Sequence, residues 1–245
     1  MAAGRIALVT GASRGIGKEI AISLLEQGCC VVCGFCSNRA GAAEIESCFD
    51  AAKAIAIDIR NRKSIKRAIA TARTQFGEPI SIVVNNAAIA DERPMEEITD
   101  AQWDRVMETN LRGPFAVCQE TLPDMIAGGW GRIVNIVSIG GQWGGMRQVH
   151  YAASKAGLIN FTQSLARLYS GHGITANAVA PGLVGTDMAA RELRSKAGKQ
   201  KAAQIPVGRI ARPKEIAAAV AFLCSEDAGY VTGHTLNVNG GMYFQ

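Results

Sequence analysis

Ile6-Ala7-Leu8-Val9, followed by Thr10-Gly11-Ala12-Ser13-Arg14-Gly15-Ile16-Gly17, decides how the rest of the chain is read. Four apolar residues in a row suit a short strand covered on both sides. A helical pattern then runs through Ile20, Leu24 and Leu25 to Gly28. Between a strand and a helix, a glycine triplet acquires a physical meaning. The missing side chains let backbone approach a pyrophosphate, and the helix N-terminus carries the partial positive charge that attracts it. Gly11, Ser13, Arg14, Gly15, Ile16 and Gly17 are therefore candidate dinucleotide contacts.

Working outward, a second strand ends at Phe35 or Cys36 and is followed by Ser37-Asn38-Arg39. A site for an unphosphorylated adenosine ribose usually places a carboxylate there, and this chain has none. Arg14 and Arg39 instead suit a 2′-phosphate, so NADP(H) is expected to be preferred over NAD(H). A third strand over 54–59 puts Asp58 near its carboxyl end, where ligands of open α/β sheets collect. Residues 61–76 are amphipathic, and a fourth strand over 80–84 leads into Asn85-Asn86-Ala87-Ala88. Asp100 is expected to cap a helix carrying Trp103, Val106, Met107 and Asn110, and Pro114 to open the next, which Gly128-Gly129 ends. Further strands are expected over 133–137, 174–180 and 235–238, with helices from Tyr151 to about Ser170 and from Pro213 to Leu223. Strands and helices alternate without linkers or repeats. This predicts an α/β fold: one domain over 1–245, a doubly wound parallel sheet with helices on both faces. Residues 183–206 are polar, basic and without a clear period, and are read as a mobile substrate lid.

Composition agrees with a folded enzyme-sized domain. The chain has 245 residues, 48% hydrophobic and 19% charged, which excludes disorder. Its net charge of +5 is dispersed, with no basic block of the kind that binds nucleic acid. No apolar run approaches the roughly 20 residues of a membrane helix, and the first residues lack signal-peptide architecture. Seven cysteines with no framework spacing point to a reducing cytosol. Cys30, Cys33 and Cys36 repeat a C-x-x-C step, but in a strand Cys30 and Cys33 face opposite ways, so no metal site is expected. Cys36, at the strand end beside the phosphate site, is the thiol expected to react.

The chemistry is expected between Ser138 and Lys155. Tyr151 and Lys155, four residues apart, share one helix face. A phenol near pKa 10 exchanges protons poorly at neutrality, and a nearby ammonium lowers that value. Ser138 closes the β-branched run Ile133-Val134-Asn135-Ile136-Val137, placed to polarise a carbonyl that the tyrosine protonates.

Together these motifs resemble the short-chain dehydrogenase/reductase family, with the closest likeness to its β-ketoacyl-acyl-carrier-protein reductase group. The likeness covers essentially the whole chain. It rests on the glycine-rich turn, Asn85-Asn86-Ala87, Asn110, Ser138, Tyr151-x-x-x-Lys155, Pro181-Gly182 and the stretch Thr232-Gly233-His234-Thr235-Leu236-Asn237-Val238-Asn239-Gly240-Gly241. The resemblance implies a Rossmann-type fold, a nicotinamide cofactor and a homotetramer built on the Tyr151 and Pro213 helices. It also implies the roles. Tyr151 would donate the proton, Lys155 would lower its pKa and hold the nicotinamide ribose, Ser138 would polarise the substrate, and Asn110 would hold a water leading to Lys155. Asp58 and Ile59 would meet the adenine. Asn86, Ala87 and Ala88 would lie along the adenosine ribose side. Pro181, Gly182, Val184 and Thr186 would border the nicotinamide. Trp143, Met146 and Gln148 would shape the substrate pocket beside Ser138 and Tyr151.

Two departures bear on the substrate. Ketoacyl reductases that dock a carrier protein resemble one another in basic residues beside the cleft, and Gly129 and His172 stand where arginine is expected. In contrast, the segment after Thr186 carries Arg191, Arg194, Lys196, Lys199 and Lys201 against Glu192, which favours an anionic substrate arm. The expected function is NADPH-dependent reduction of a 3-oxoacyl thioester or related ketone, in fatty acid biosynthesis in the cytoplasm. A dehydrogenase of a small secondary alcohol, polyol or ring hydroxyl is the alternative, and a cofactor-binding protein without chemistry is a third.

Overall fold

The computed structural model describes residues 4–187, 190, 194 and 196–244. The described residues form a seven-stranded sheet in the order β3-β2-β1-β4-β5-β6-β7, with every adjacent pair parallel. Its strands are β1 (Ile6–Thr10), β2 (Cys30–Phe35), β3 (Ala52–Ala56), β4 (Ile80–Asn85), β5 (Gly131–Ile136), β6 (Ile174–Pro181) and β7 (Thr235–Val238). The strand order reverses between β1 and β4, which opens a crevice at the carboxyl ends of the strands.

Both faces of the sheet are covered, so the strands read as unbroken apolar runs, and residue parity decides which core each side chain joins. Ala7, Val9, Val31, Cys33, Val84 and Val134 pack with helices α1 (Gly15–Glu26), α2 (Arg39–Cys48) and α9 (Pro213–Cys224). Ile6, Leu8, Val32, Val83 and Ile133 pack on the other face with α3 (Arg62–Phe76), α5 (Gly113–Ala127) and α7 (Val149–Tyr169). Cys33 belongs to the first core and Cys30 lies against the second, as strand parity requires. Among the described residues, no helix is long and apolar enough to cross a membrane.

The observed boundaries differ from the sequence reading in instructive places. β3 stops at Ala56, so Asp58 and Ile59 sit beyond the strand. There the Asp58 N–H donates to Ser64 Oγ at 3.0 Å and the Asn61 carboxamide caps α3, drawing the backbone away from β2. The helix α4 (Asp100–Met107) is capped by Thr99 rather than Asp100, through a reciprocal pair with Gln102. Asn110 lies in a π-helical turn, Glu108–Arg112, that joins α4 to α5. The glycine-rich stretch after Ser138 contains a short helix, α6 (Gly140–Trp143). Residues 196–203, expected to be irregular, form helix α8 (Lys196–Ala203). Arg191 and Glu192, part of the expected cationic segment, lie outside the described residues.

At the amino ends of the strands, Trp130 is held between two guanidiniums, with Arg5 and Arg132 4.1 and 4.3 Å from its ring centre. Its indole N–H donates to Glu226 at 3.2 Å, and Arg132 is buried, donating to the Ser225 and Gly131 carbonyls.

The glycine-rich turn is fastened to the neighbouring strand end. Thr10 Oγ1 accepts the N–H groups of Asn86 and Ala87 at 3.0 and 3.1 Å, and Asn86 Nδ2 donates to the Thr10 and Gly11 carbonyls at 3.0 and 3.1 Å. Gly11 takes a φ of 68°, a left-handed conformation that favours glycine. A Cβ on Gly17 would overlap the Gly11 carbonyl and sit 2.5 Å from Asn86 Nδ2. Gly17→Ala is therefore expected to destabilise the fold by about 1–3 kcal/mol, the usual penalty for overfilling a packed site. An unchanged urea midpoint and slope for this variant would contradict the close packing of turn and strand.

Candidate active site

One cleft of about 1280 Å³ follows the crevice, and the residues along it arrive from strand ends. Gly11, Ser13, Arg14, Gly15, Ile16 and Gly17 supply its floor, and Asn86, Ala87 and Ala88 its β4 side. Ser37, Asn38, Asp58 and Ile59 wall one end, and Ser138, Tyr151, Lys155, Pro181, Gly182, Val184 and Thr186 the other. Trp143, Met146 and Gln148 stand at the mouth on that second side. The sequence reading thus brought most of its candidates to one place.

Two candidates fall elsewhere. Arg39 is exposed in the first turn of α2 and does not line the cleft, whereas Asn38, which does, caps that helix by accepting the Gly41 N–H. Asn110 is fully buried behind the cleft wall. Its carboxamide accepts the Ile89 N–H and donates to the Ile89 carbonyl, both at 2.9 Å, and donates to Ser154 Oγ at 3.2 Å. Its side chain is a bracket tying the strand-end loop to α7. Asn86 is likewise committed to backbone. Arg60, which the sequence reading passed over, lines the adenosine end of the cleft. Its proximity arises only because β3 ends early and the chain turns back.

A further correction concerns Gly129 and His172. Gly129 precedes β5 and His172 precedes β6, so both are exposed at the amino edge of the sheet. Tyr151 lies at the opposite end of α7, some 21 residues earlier, which on a helix is roughly 30 Å. They do not flank the cleft of their own chain. In addition, Gly129 has a φ of 61°, so an arginine there would be strained.

The cleft fits a dinucleotide. Gly15 has a φ of 55°, and a Cβ there would close to 3.4 Å from Thr186 Cγ2 across the cleft, filling the path a pyrophosphate needs. Arg14, the residue that begins α1, offers no side-chain cap, so the first-turn N–H groups face the cleft unshielded by protein.

At the other end, Tyr151 and Ser138 line the same part of the cleft. Ser138 is steadied by the Gly140 N–H, which donates to its Oγ at 3.1 Å. Below the strand end, Asn85 donates to Asn135 at 2.8 Å and Asn135 to Thr162 at 2.8 Å, a buried ladder locking β4, β5 and α7 together. Lys155 is buried, donates to the Ile136 carbonyl at 2.7 Å, and lies 5.6 Å from the Tyr151 ring centre. Burial raises the Tyr151 pKa, and the Ser138 hydrogen bond opposes it without overcoming it. Burial also pulls the Lys155 ammonium down to about 7. The expected depression of the phenol by a fixed ammonium is thus replaced by something different: a protonated tyrosine beside a lysine that titrates near neutrality. Cys36 is exposed and lines the cleft, whereas burial pushes Cys29 up to about 11 and Cys33 up to about 12, making them inert.

The chain is similar to known proteins along most of its length. A family profile described as enoyl-(acyl carrier protein) reductase matches residues 11–243. The 3-oxoacyl-[acyl-carrier-protein] reductase FabG of Vibrio cholerae is 43% identical over 241 residues, covering 98% of both chains. Those of Escherichia coli and Pseudomonas aeruginosa are 43% and 42% identical over 244 residues, again covering 98% of each.

The buried lysine has a measurable cost. Unfolded, Lys155 keeps its proton up to about pH 10.4; folded, it releases it near 7. Between these values the unfolded state binds more protons, so this group makes stability rise with pH across that window. Lys155→Met is therefore expected to be more stable than the wild type at pH 7, with the gap narrowing as pH approaches 10. A gap independent of pH in parallel denaturant titrations would show that burial does not discharge the lysine.

Proposed function

The chain belongs to the short-chain dehydrogenase/reductase family, and from that premise we propose that it reduces 3-oxoacyl thioesters to 3-hydroxyacyl thioesters with NADPH. The observation that carries the reading is the pair of hydroxyls, Ser138 and Tyr151, on one wall of a dinucleotide-shaped cleft with Lys155 buried behind them. The profile's description and the relatives' names differ in the bond reduced, C=C against C=O. Two adjacent O–H donors suit the second, because reduction of a ketone makes an alkoxide oxygen that takes the proton one of them gives.

The nicotinamide supplies the hydride when bound. The chain's own residues bind, orient and protonate. Ser138 Oγ donates to the substrate carbonyl and polarises it. Tyr151, kept protonated by burial, gives its proton to the developing alkoxide. The phenolate left behind is stabilised by Ser138 and by Lys155, whose pKa of about 7 suits it to restore the proton. Arg14 and the lack of a carboxylate among residues 36–39 favour the 2′-phosphate. Leu183, Asp187, Gly198 and Lys201, from the segment read as a substrate lid, line the cleft of a single domain. The same reading takes the protein as a cytoplasmic homotetramer, since Phe115 on α5, Leu168 on α7 and Phe222 on α9 expose apolar surface.

Tyr151→Phe is expected to lower kcat by roughly 100- to 10,000-fold, with NADPH affinity retained. A variant keeping more than a tenth of the activity on acetoacetyl-coenzyme A would remove the proton donor from the scheme. Wild-type enzyme is expected to favour NADPH over NADH, and Arg14→Ala to reduce the ratio of catalytic efficiencies by roughly 10- to 150-fold, the worth of one charged contact. A preference for NADH in the wild type would refute the assignment.

The thioester's arm is the open part of the specificity. Lys196 and Lys199 on α8 are exposed, and Lys201 faces the cleft. We infer that they attract the phosphates shared by coenzyme A and the carrier-protein arm. With acetoacetyl-coenzyme A, KM should rise with ionic strength and in Lys199→Glu while kcat holds. A KM indifferent to both salt and charge reversal would leave the helix without this role.

A further inference from the structure

We propose that Tyr243 is a positioning residue for the substrate. It holds the Trp143 indole as a fixed apolar wall for the alkyl chain of a 3-oxoacyl thioester, and so favours chains longer than acetoacetyl. The inference rests on the reductase reading above and concerns the Ser138 end of the cleft. Such a substrate leaves its ketone carbon in two directions, one toward the phosphate-bearing thioester arm and one along an apolar chain. The lysines of α8 suit the first. Trp143 and Met146, large apolar side chains that line the cleft and stand 48% and 100% exposed, suit the second. Open apolar surface at a cleft mouth gains when an alkyl chain covers it.

Of the two, Trp143 is the one with a brace. Its ring lies edge-on to that of Tyr243, the centroids 5.9 Å apart and the planes at 75°. The brace matters because Trp143 closes α6, a helix of four residues, and Gly144 follows it with a φ of 88°. So short a helix does little to fix an indole, and each incoming chain would have to order a loose ring. Tyr243 is placed by a different part of the fold. After β7 the chain doubles back at Gly240 and Gly241, whose φ values of 66° and 84° favour glycine. The buried Asn239 closes this hook. Its Nδ2 donates to the Tyr243 carbonyl and its Oδ1 accepts the Gly241 N–H, both at 2.9 Å. The hook is seated on residues 205–207, just beyond α8. There the Val207 N–H donates to the Gly240 carbonyl at 3.1 Å, and a Cβ on Gly240 would fall 2.8 Å from Ile205 Cγ2. Tyr243 thus ties the indole to the edge strand of the sheet and to the foot of α8, not to the loop that carries it.

The test is chain-length selectivity, the ratio of kcat/KM for 3-oxooctanoyl-coenzyme A to that for acetoacetyl-coenzyme A, measured on the full chain with NADPH. The wild type should prefer the longer thioester. Tyr243→Leu, which keeps apolar bulk without the ring, should lower the ratio by about 2- to 10-fold, the worth of an edge-on aromatic pair. The loss should lie in KM for the longer substrate, with acetoacetyl kinetics and NADPH affinity unchanged. Tyr243→Phe should keep the wild-type ratio. In a Trp143→Ala background, Tyr243→Leu should change the ratio no further, since the brace then has nothing to hold. An unchanged ratio in Tyr243→Leu would overturn the proposal, and so would a raised one, which would make the indole an obstruction. An equal loss on both substrates, or a Tyr243→Phe variant as poor as Tyr243→Leu, would reduce Tyr243 to a general structural role and sink the idea. A wild type that prefers acetoacetyl-coenzyme A would do the same. A wild-type enzyme that oxidises NADPH with neither thioester would instead overturn the functional reading on which this one stands.

Discussion

The hydrogen bonds between the β1 turn and the β4 end are what the rest of the site depends on. A glycine-rich turn has little to hold it in place, since its residues bring almost no side-chain contacts. Here Thr10 and Asn86 supply the constraint, each using its polar atoms on the other's backbone. The result is that the floor of the cleft and the strand that closes it move as one body. The glycines are then free to stay bare, which is what a closely approached pyrophosphate requires. Two polar side chains carry the mechanical load so that three residues can do without side chains.

The same division of labour appears at the Ser138 end of the cleft. Ser138 and Tyr151 face the cleft, but their positions are set by groups that never reach it: the Asn85–Asn135–Thr162 ladder, the Asn110 bracket and the Gly140 N–H. Burying Tyr151 and Lys155 together is unfavourable for either charge. Neither residue therefore stands permanently ionised. Burial thus acts on both side chains in the same sense, towards their neutral forms. That effect follows from the dry environment and not from the spacing of the two residues.

Much of this was legible in the sequence. Continuous apolar runs separated by helical periods define a parallel sheet covered on both faces, and the glycine turn marks where its crevice opens. Cys30 and Cys33 sorted to opposite faces on strand parity alone. Local motifs with strong backbone signatures, such as the Tyr151–Lys155 spacing, carried through. What was not legible depends on where a strand stops. β3 ends at Ala56, and the Asp58 N–H just beyond it turns to Ser64 Oγ, a diversion that no periodicity reports. That single shortfall hid Arg60. The same limit applies to Gly129 and His172. The family resemblance sets these positions beside the cleft, but the direction of β5 and β6 puts them at the far end of the sheet. Asn110 shows a third kind of failure, since a π-helical turn has no recognised pattern of residues.

The chain's three tryptophans sit in three different mechanical settings. Trp130 is gripped between Arg5 and Arg132 at the end of the sheet remote from the cleft. Trp143 stands half exposed at the cleft mouth, edge-on to Tyr243 at 5.9 Å. Trp103 is partly exposed on α4. An indole flanked by charged groups and one open to water emit differently, so the molecule carries built-in optical probes for separate regions. With Trp103 and Trp143 replaced by phenylalanine, Trp130 emission follows the integrity of the sheet. With Trp103 and Trp130 replaced, Trp143 follows events at the cleft mouth. Ligand arrival and global unfolding thus become separable signals without attaching any external dye.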